Sequence, residues 1–204
     1  MENKKQIAIV DYGAGNLFSV ENALDFLQIP WIVTAAPQAI RDADGVILPG
    51  VGAFPDAMER LRSTGLEDTL REEAVKKPFL GICLGMQMLF ETGFEFQQTR
   101  GLGLIPGTVE HLRTTTLKIP HMGWNSLHIH HACPLTQRLK EGDYVYFVHS
   151  FCANTDEEYV SLSTQYGQMV PALVNRGTVY GAQFHPEKSG EVGLGILRCF
   201  YGLL

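Results

Sequence analysis

The sequence predicts an open α/β fold: a mainly parallel sheet with helices on both faces and antiparallel strands added in the C-terminal half. Three observations carry it. Short apolar runs alternate with helical segments through residue 91, the order that builds a parallel sheet by right-handed crossovers. From about Leu104 to Phe184 the pattern becomes short alternating segments separated by Gly, Pro and Asn, which reads as antiparallel strands. The 204 residues, 45% hydrophobic with 21 glycines, suit one globular domain spanning residues 1–204, with a core that needs neither disulfide nor metal.

Taken in order, Ile7 to Val10 is a short apolar run suited to a central strand. It ends in Asp11-Tyr12-Gly13-Ala14-Gly15-Asn16, and a helix follows from Leu17 to Leu27. A dinucleotide fingerprint would need a third glycine where Phe18 stands, and no Gly-Lys-Ser/Thr is present for a P-loop, so the loop reads as a tight βα turn. Trp31 to Thr34 is the second strand, and Gly45 to Leu48 is the third, ending in Pro49-Gly50-Val51-Gly52. Helices are expected at Phe54–Leu61 and Leu66–Val75, then a strand running into Cys83 and a helix from Leu84 to Glu91. Later strands are expected at Thr108–Leu112, Ser126–Ile129, Tyr144–Val148, Val160–Tyr166 and Thr178–Phe184, and an amphipathic helix closes the chain from Gly193 to Leu204.

Charge and cysteine content narrow the function classes. A net charge of −6 with no Lys/Arg run gives no support to nucleic-acid binding. The four cysteines, Cys83, Cys133, Cys152 and Cys199, form no C-x-x-C pair, so neither a zinc knuckle nor a disulfide framework is indicated. His128 and His130 share a strand face without a third ligand nearby, so no metal site is expected. The polar N-terminus lacks the apolar run of a signal peptide, and no stretch approaches the ~20 apolar residues of a membrane span. A reducing, cytoplasmic setting is therefore expected, and it suits a free thiol.

Gly81-Ile82-Cys83-Leu84-Gly85 is a strand-to-helix corner with a cysteine at its tip. Unpaired N–H groups and the dipole at a helix start favour an anion, here a thiolate. The flanking glycines have the spacing of a nucleophile elbow with Cys in place of Ser. A buried structural cysteine is the competing reading, and partners elsewhere decide between them. His185-Pro186-Glu187 supplies those partners. In extended chain, residues i and i+2 point the same way, roughly 6.6–7 Å apart. Glu187 can then hold one imidazole nitrogen of His185 while the other faces outward, the base-plus-orienter arrangement of a thiol nucleophile. Oxyanion donors are expected from the backbone N–H of Leu84 and from Val51 or Gly52 in the Pro49–Gly52 loop, each typically worth about 2.7–4 kcal/mol of barrier. Glu187 follows His185 in the chain, which argues against an α/β-hydrolase, where the acid comes first.

Gly81-Ile82-Cys83-Leu84-Gly85-Met86-Gln87 with the distant His185-Pro186-Glu187 resembles the triad glutamine amidotransferases, along the whole chain. The resemblance implies a flavodoxin-like open sheet and an enzyme without cofactors. Cys83 would attack the side-chain amide of glutamine and form a γ-glutamyl thioester, while His185 protonates the departing ammonia and then activates water. It also implies that Gln87, Glu95 and backbone near His149-Ser150-Phe151 grip the amino-acid end of glutamine. Two details differ from many relatives: Met86 stands where they carry His, and Gly50-Val51-Gly52 where they carry Gly-Gly.

Four segments, Asp11–Asn16 (DYGAGN), Pro49–Gly52 (PGVG), Pro120–Asn125 (PHMGWN) and His185–Ser189 (HPEKS), are similar to the glutaminase subunits of imidazole glycerol phosphate synthases. That narrower resemblance implies a (β/α)8 cyclase partner that receives the ammonia, with Asn16, Met122, Trp124 and Lys188 at the subunit interface. It also implies delivery of ammonia for imidazole glycerol phosphate and aminoimidazole-carboxamide ribotide. Apolar-aromatic residues in a turn, such as Met122 and Trp124, make good interface anchors, although a small core under a loop is the alternative. Val51 suggests regulation: a β-branched residue resists positive φ, so an oxyanion N–H that requires a peptide flip there would leave the isolated chain slow. Rival readings are a glutaminase of pyridoxal phosphate synthesis, a γ-glutamyl hydrolase and a catalytically dead scaffold.

Overall fold

The computed structural model describes residues 5–204. Through the first half the elements alternate as expected: β1 (Ile7–Val10), α1 (Leu17–Phe26), β2 (Trp31–Thr34), α2 (Pro37–Asp42), β3 (Gly45–Gly50), α3 (Phe54–Ser63), α4 (Leu66–Ala74), β4 (Phe79–Cys83) and α5 (Leu84–Gln87). The second half is mostly strand: β5 (Phe90–Gly93), β6 (Thr99–Arg100), β7 (Ile105–His111), β8 (His121–Ser126), β9 (His128–Ile129), β10 (Tyr144–His149), β11 (Phe151–Asn154), β12 (Val160–Tyr166), β13 (Gln168–Arg176) and β14 (Val179–Ala182), before α6 (Gly190–Tyr201).

The large sheet runs β2-β1-β3-β4-β14-β13-β12-β9. Its first five strands are mutually parallel, and β13 turns antiparallel against β14. Strand residues alternate between two cores, as a period of two requires. Ala8, Val10, Val46 and Leu48 face the core packed by α2, α3 and α4, with Ile40, Met58 and Leu70 from the helices. Ile7, Ile9, Ile47, Leu80 and Ile82 face the opposite core, with Val20 and Leu24 of α1 and Ile196 and Phe200 of α6. Strand order reverses beside β1, so β3, β4 and β14 bring their carboxyl ends together in the region where open α/β sheets place ligands.

Several boundaries differ from the sequence reading. The helix expected over Leu84–Glu91 is a single turn, and the chain re-enters a strand at Phe90. Competing pairing ends it: the carbonyl of Met88 accepts from Leu102 N, and that of Leu89 from Leu104 N. The expected strand Ser126–Ile129 breaks at Leu127, with β8 paired to β10 and β9 to β12. The antiparallel strands also do not all extend the large sheet. β11-β7-β5-β6 forms a separate sheet, and β10-β8 a separate pair. Finally, α6 begins at Gly190 rather than Gly193 and ends at Tyr201.

Candidate active site

The β4–α5 corner holds Cys83 at φ +54° and ψ −111°, a left-handed backbone for a residue with a side chain. Such a conformation costs on the order of 1–3 kcal/mol and persists only where the surroundings enforce it. The enforcement is close backbone packing. A Cβ on Gly85 would overlap the Leu48 carbonyl, one on Gly81 would come within 2.6 Å of Gly85 O, and one on Gly50 within 2.6 Å of Gly85 N. With α5 reduced to one turn, a long-helix dipole no longer accounts for an anion at the sulfur. The unpaired N–H groups of the turn itself, beginning with Leu84, remain.

His185 comes to the same place from β14. It ends the extended chain at φ −98° and ψ 99°, and Pro186–Lys188 then coil into a 3₁₀ turn. The fully extended i, i+2 relation expected for His185 and Glu187 is therefore replaced by a tighter bend, because Pro186 pre-sets the helical φ. Through that bend Glu187 Oε1 lies 2.7 Å from His185 Nδ1, with both side chains almost wholly buried. Ser189 fastens the turn: its hydroxyl donates to His185 O at 2.6 Å and accepts from Tyr146 N at 3.0 Å. On the other side of the ring, His185 Nε2 is buried with no hydrogen-bond partner among the described residues. Burial disfavours the imidazolium, but Cys83 on one side and Glu187 on the other outweigh it and push the His185 pKa up to about 10.

A cavity of about 360 Å³ opens over this corner. Its walls include Cys83, Leu84 and His185, together with Val51 and Gly52 from the loop after β3. Gln87, Glu95 and Ser150 line it as well. The sequence-derived nucleophile, base, oxyanion donors and glutamine contacts thus share one cavity, and Glu187 stands behind His185. Val51 is 44% exposed and does not have a positive φ; that angle falls on Gly52, at +101°. Ser150 sits where the chain passes from β10 to β11. Glu95 has a second contact: Oε2 accepts from Phe54 N at 2.7 Å, supplying the cap that α3 otherwise lacks.

Gln87 is oriented by its surroundings. Its Nε2 donates to Phe151 O at 2.9 Å and to Gln183 Oε1 at 3.0 Å. Both donors are thereby used, leaving its oxygen for a ligand donor such as an α-ammonium. Behind Phe151 lies a histidine pair that sequence reading missed. His149 Nδ1 is 2.8 Å from Phe151 O and so carries its proton there, and Nε2 accepts from His121 Nδ1 at 3.0 Å. Burial lowers the pKa of His149 to about 3 and of His121 to about 4, so both rings are neutral. Nothing local in the sequence flags this pair, since the partners are 28 residues apart.

The four remaining candidates lie around the site rather than in its cavity. Asn16 caps α1, accepting from Ser19 N at 3.4 Å, and borders a closed crevice with Val51, His185 and Glu187. Met122 and Trp124 lie on strand β8, paired with β10, rather than in the expected turn, and at 61% and 56% exposed they form no small core under a loop. Lys188 is exposed immediately after Glu187. His128 and His130, on the β9 side, take separate partners, Glu141 Oε1 at 2.6 Å and Ser163 Oγ at 2.7 Å.

A strained cysteine at a strand-helix corner, a carboxylate-held histidine and this sheet order define a class. The family profile Glutamine amidotransferase class-I matches residues 8–201, and the chain belongs to that family. Solved structures with the same fold include a putative GMP synthase component from Thermoplasma acidophilum. It is 20% identical with a TM-score of 0.75, covering 100% of this chain and 95% of that one. Another is PurLQS from Thermotoga maritima, 20% identical with a TM-score of 0.75 over 98% and 99% of the two chains. Among curated proteins the chain is similar to several named "Imidazole glycerol phosphate synthase subunit HisH". The Listeria monocytogenes serotype 4a (strain HCC23) protein is 52% identical over 196 residues, 95% of this chain and 94% of the relative. That of Bacillus cereus (strain B4264) is 50% identical over 199 residues, 97% and 95% of the two.

Proposed function

We propose that this chain, acting as one domain over residues 1–204, hydrolyses glutamine to glutamate and ammonia as the glutaminase subunit of an imidazole glycerol phosphate synthase. The observation that supports the reading most strongly is the convergence of Cys83, His185 and the residues around them on one cavity, with Glu187 bonded to the far side of the imidazole. In this reading the Cys83 thiolate attacks the δ-carbonyl carbon of glutamine. The carbonyl oxygen takes the negative charge and meets backbone N–H groups of Leu84 and of the Val51–Gly52 loop. His185, already protonated, gives its proton to the amide nitrogen, the C–N bond breaks, and ammonia leaves a γ-glutamyl thioester. The neutral ring then takes a proton from water, hydroxide attacks the thioester, and glutamate and the thiolate are released. Gln87 Oε1 and Glu95 accept from the α-ammonium, and backbone at Ser150 holds the α-carboxylate.

The partner in this account is a (β/α)8 cyclase docking on Asn16, Met122, Trp124 and Lys188, and the site of action is the cytoplasm. Among the described residues no helix is long and apolar enough to cross a membrane. Docking would bias the Val51 peptide toward the conformation whose N–H serves the oxyanion, a population shift rather than new chemistry. Glutaminase turnover of the chain alone, with the cyclase, and with cyclase plus its nucleotide substrate is expected to rise at each step. Equal rates in the three states would contradict the coupling.

A further inference from the structure

Gln183 is fully buried, two residues before His185, beside the sulfur. Its backbone extends the sheet, with N–H donating to Ala172 O at 2.9 Å, so the side chain is what remains to be explained. Oε1 accepts from Gln87 Nε2 at 3.0 Å, and Nε2 faces Cys83 Sγ at 3.9 Å. The direction of this amide is forced. Phe151 O can only accept, so Gln87 turns its NH₂ end toward Phe151 and Gln183. Gln183 must answer with its oxygen, which leaves its NH₂ end for the sulfur. On its other side the thiol donates its S–H to Val148 O, also at 3.9 Å.

A contact of 3.9 Å to a neutral thiol is long, and a thiol is a weak acceptor. A thiolate is a strong one, and hydrogen bonds to ionised groups are shorter and roughly twice as strong. A donor already aimed at the sulfur therefore helps most when the proton has left. We propose that Gln183 donates to the Cys83 thiolate and, through its oxygen, is the positioning residue that locks Gln87 with its acceptor turned to the cavity. One side chain would thus set both the nucleophile and the substrate contact. This rests on the reading of Cys83 as the nucleophile and of Gln87 as a glutamine contact.

The test combines a readout that needs no substrate with one that does. Iodoacetamide alkylation of Cys83, followed at the peptide level to separate it from Cys133, Cys152 and Cys199, gives the pH midpoint of the thiolate. Glutamine kinetics of the same proteins, bound to the synthase partner, give KM and kcat. Q183M removes donor and acceptor, whereas Q87M removes the substrate contact and the bonds to Phe151 and Gln183 but leaves the Gln183 NH₂ group in place. Q183M is expected to raise the alkylation midpoint by about one pH unit and to raise KM. Q87M should raise KM and move the midpoint less than Q183M does, since the donor to the sulfur is still present. An unchanged midpoint in Q183M overturns the donor role, whatever its thermal stability, and an unchanged KM overturns the positioning role. Q183L serves identically if Q183M does not fold. A wild-type protein without glutamine turnover would sink the glutaminase reading while the alkylation arm still decides the fate of Gln183.

Discussion

At the scale of residues, His185 lies between Cys83 and the Glu187 carboxylate that holds its Nδ1 at 2.7 Å. A His185 pKa raised from 6.5 to about 10 means that its contribution to stability is fully present below 6.5 and is lost as pH rises through about 10. The same group sets the alkaline limit of any chemistry that needs the imidazolium. Glu187 is one of the groups that holds the proton there, so Glu187→Gln is expected to lower the alkaline limb of the pH–rate profile by about 1–2 units. It should also lower kcat/KM by about 10²–10⁴-fold, through the wrong tautomer as much as the lost charge. An unmoved limb would remove Glu187 from the mechanism. Cys83 and His185 were legible because each sits in a short motif whose chemistry is local: small residues around a corner, and a carboxylate two positions from an imidazole. Gln183 was not, because a single glutamine in an apolar strand has no motif. Its partners, Gln87 and Cys83, are 96 and 100 residues away. The available signal was its phase: it lies on the His185 side of the strand alternation, where an apolar side chain is the ordinary occupant.

At the scale of elements, the corner between β4 and α5 depends on backbones that touch. Gly50 and Gly85 let β3 and α5 approach without Cβ atoms between them, and this holds Cys83 at its positive φ. Gly85→Ala would push a methyl into the Leu48 carbonyl and is expected to destabilise the protein by about 3 kcal/mol or more. Chemical denaturation checks this, and a midpoint near that of the wild type would mean that the corner relaxes easily. The strand–helix alternation of the first half was readable because buried parallel strands are continuous apolar runs and amphipathic helices separate them. The end of α5 was not, since Leu102 and Leu104 capture its carbonyl neighbours from across the fold. The 3₁₀ turn at Pro186–Lys188 was hidden for a related reason: proline announces a change of direction without saying how tight the change is. The β5, β6 and β11 strands escaped because they are only two to four residues long, and β11 pairs with the distant β7 rather than with a sequence neighbour.

At the scale of the whole molecule, the doubly wound sheet gathers residues 51, 83 and 185 from the ends of β3, β4 and β14. The second sheet and the β8–β10 pair wall the cavity on its other side through Phe151, His149 and Pro120. The parallel half of that arrangement follows from sequence periodicity and crossover handedness. Its closure by a separate sheet does not, because alternating strands announce that they pair without announcing with which partner. The resemblance carried by the motifs at residues 11–16, 49–52, 120–125 and 185–189 is scattered along the chain, yet the fold brings Val51, Gly52, Pro120 and His185 to one cavity and sets Asn16 in a crevice beside Val51 and His185. Met122 and Trp124 remain in solvent. All of this turns on one bond, the thioester between Cys83 and the glutamyl group. Peptide mass spectrometry after treatment with an irreversible, electrophilic glutamine analogue measures it most directly. The account predicts one adduct, on Cys83, abolished in Cys83→Ala and blocked by excess glutamine; undiminished labelling of the Cys83→Ala protein would contradict it.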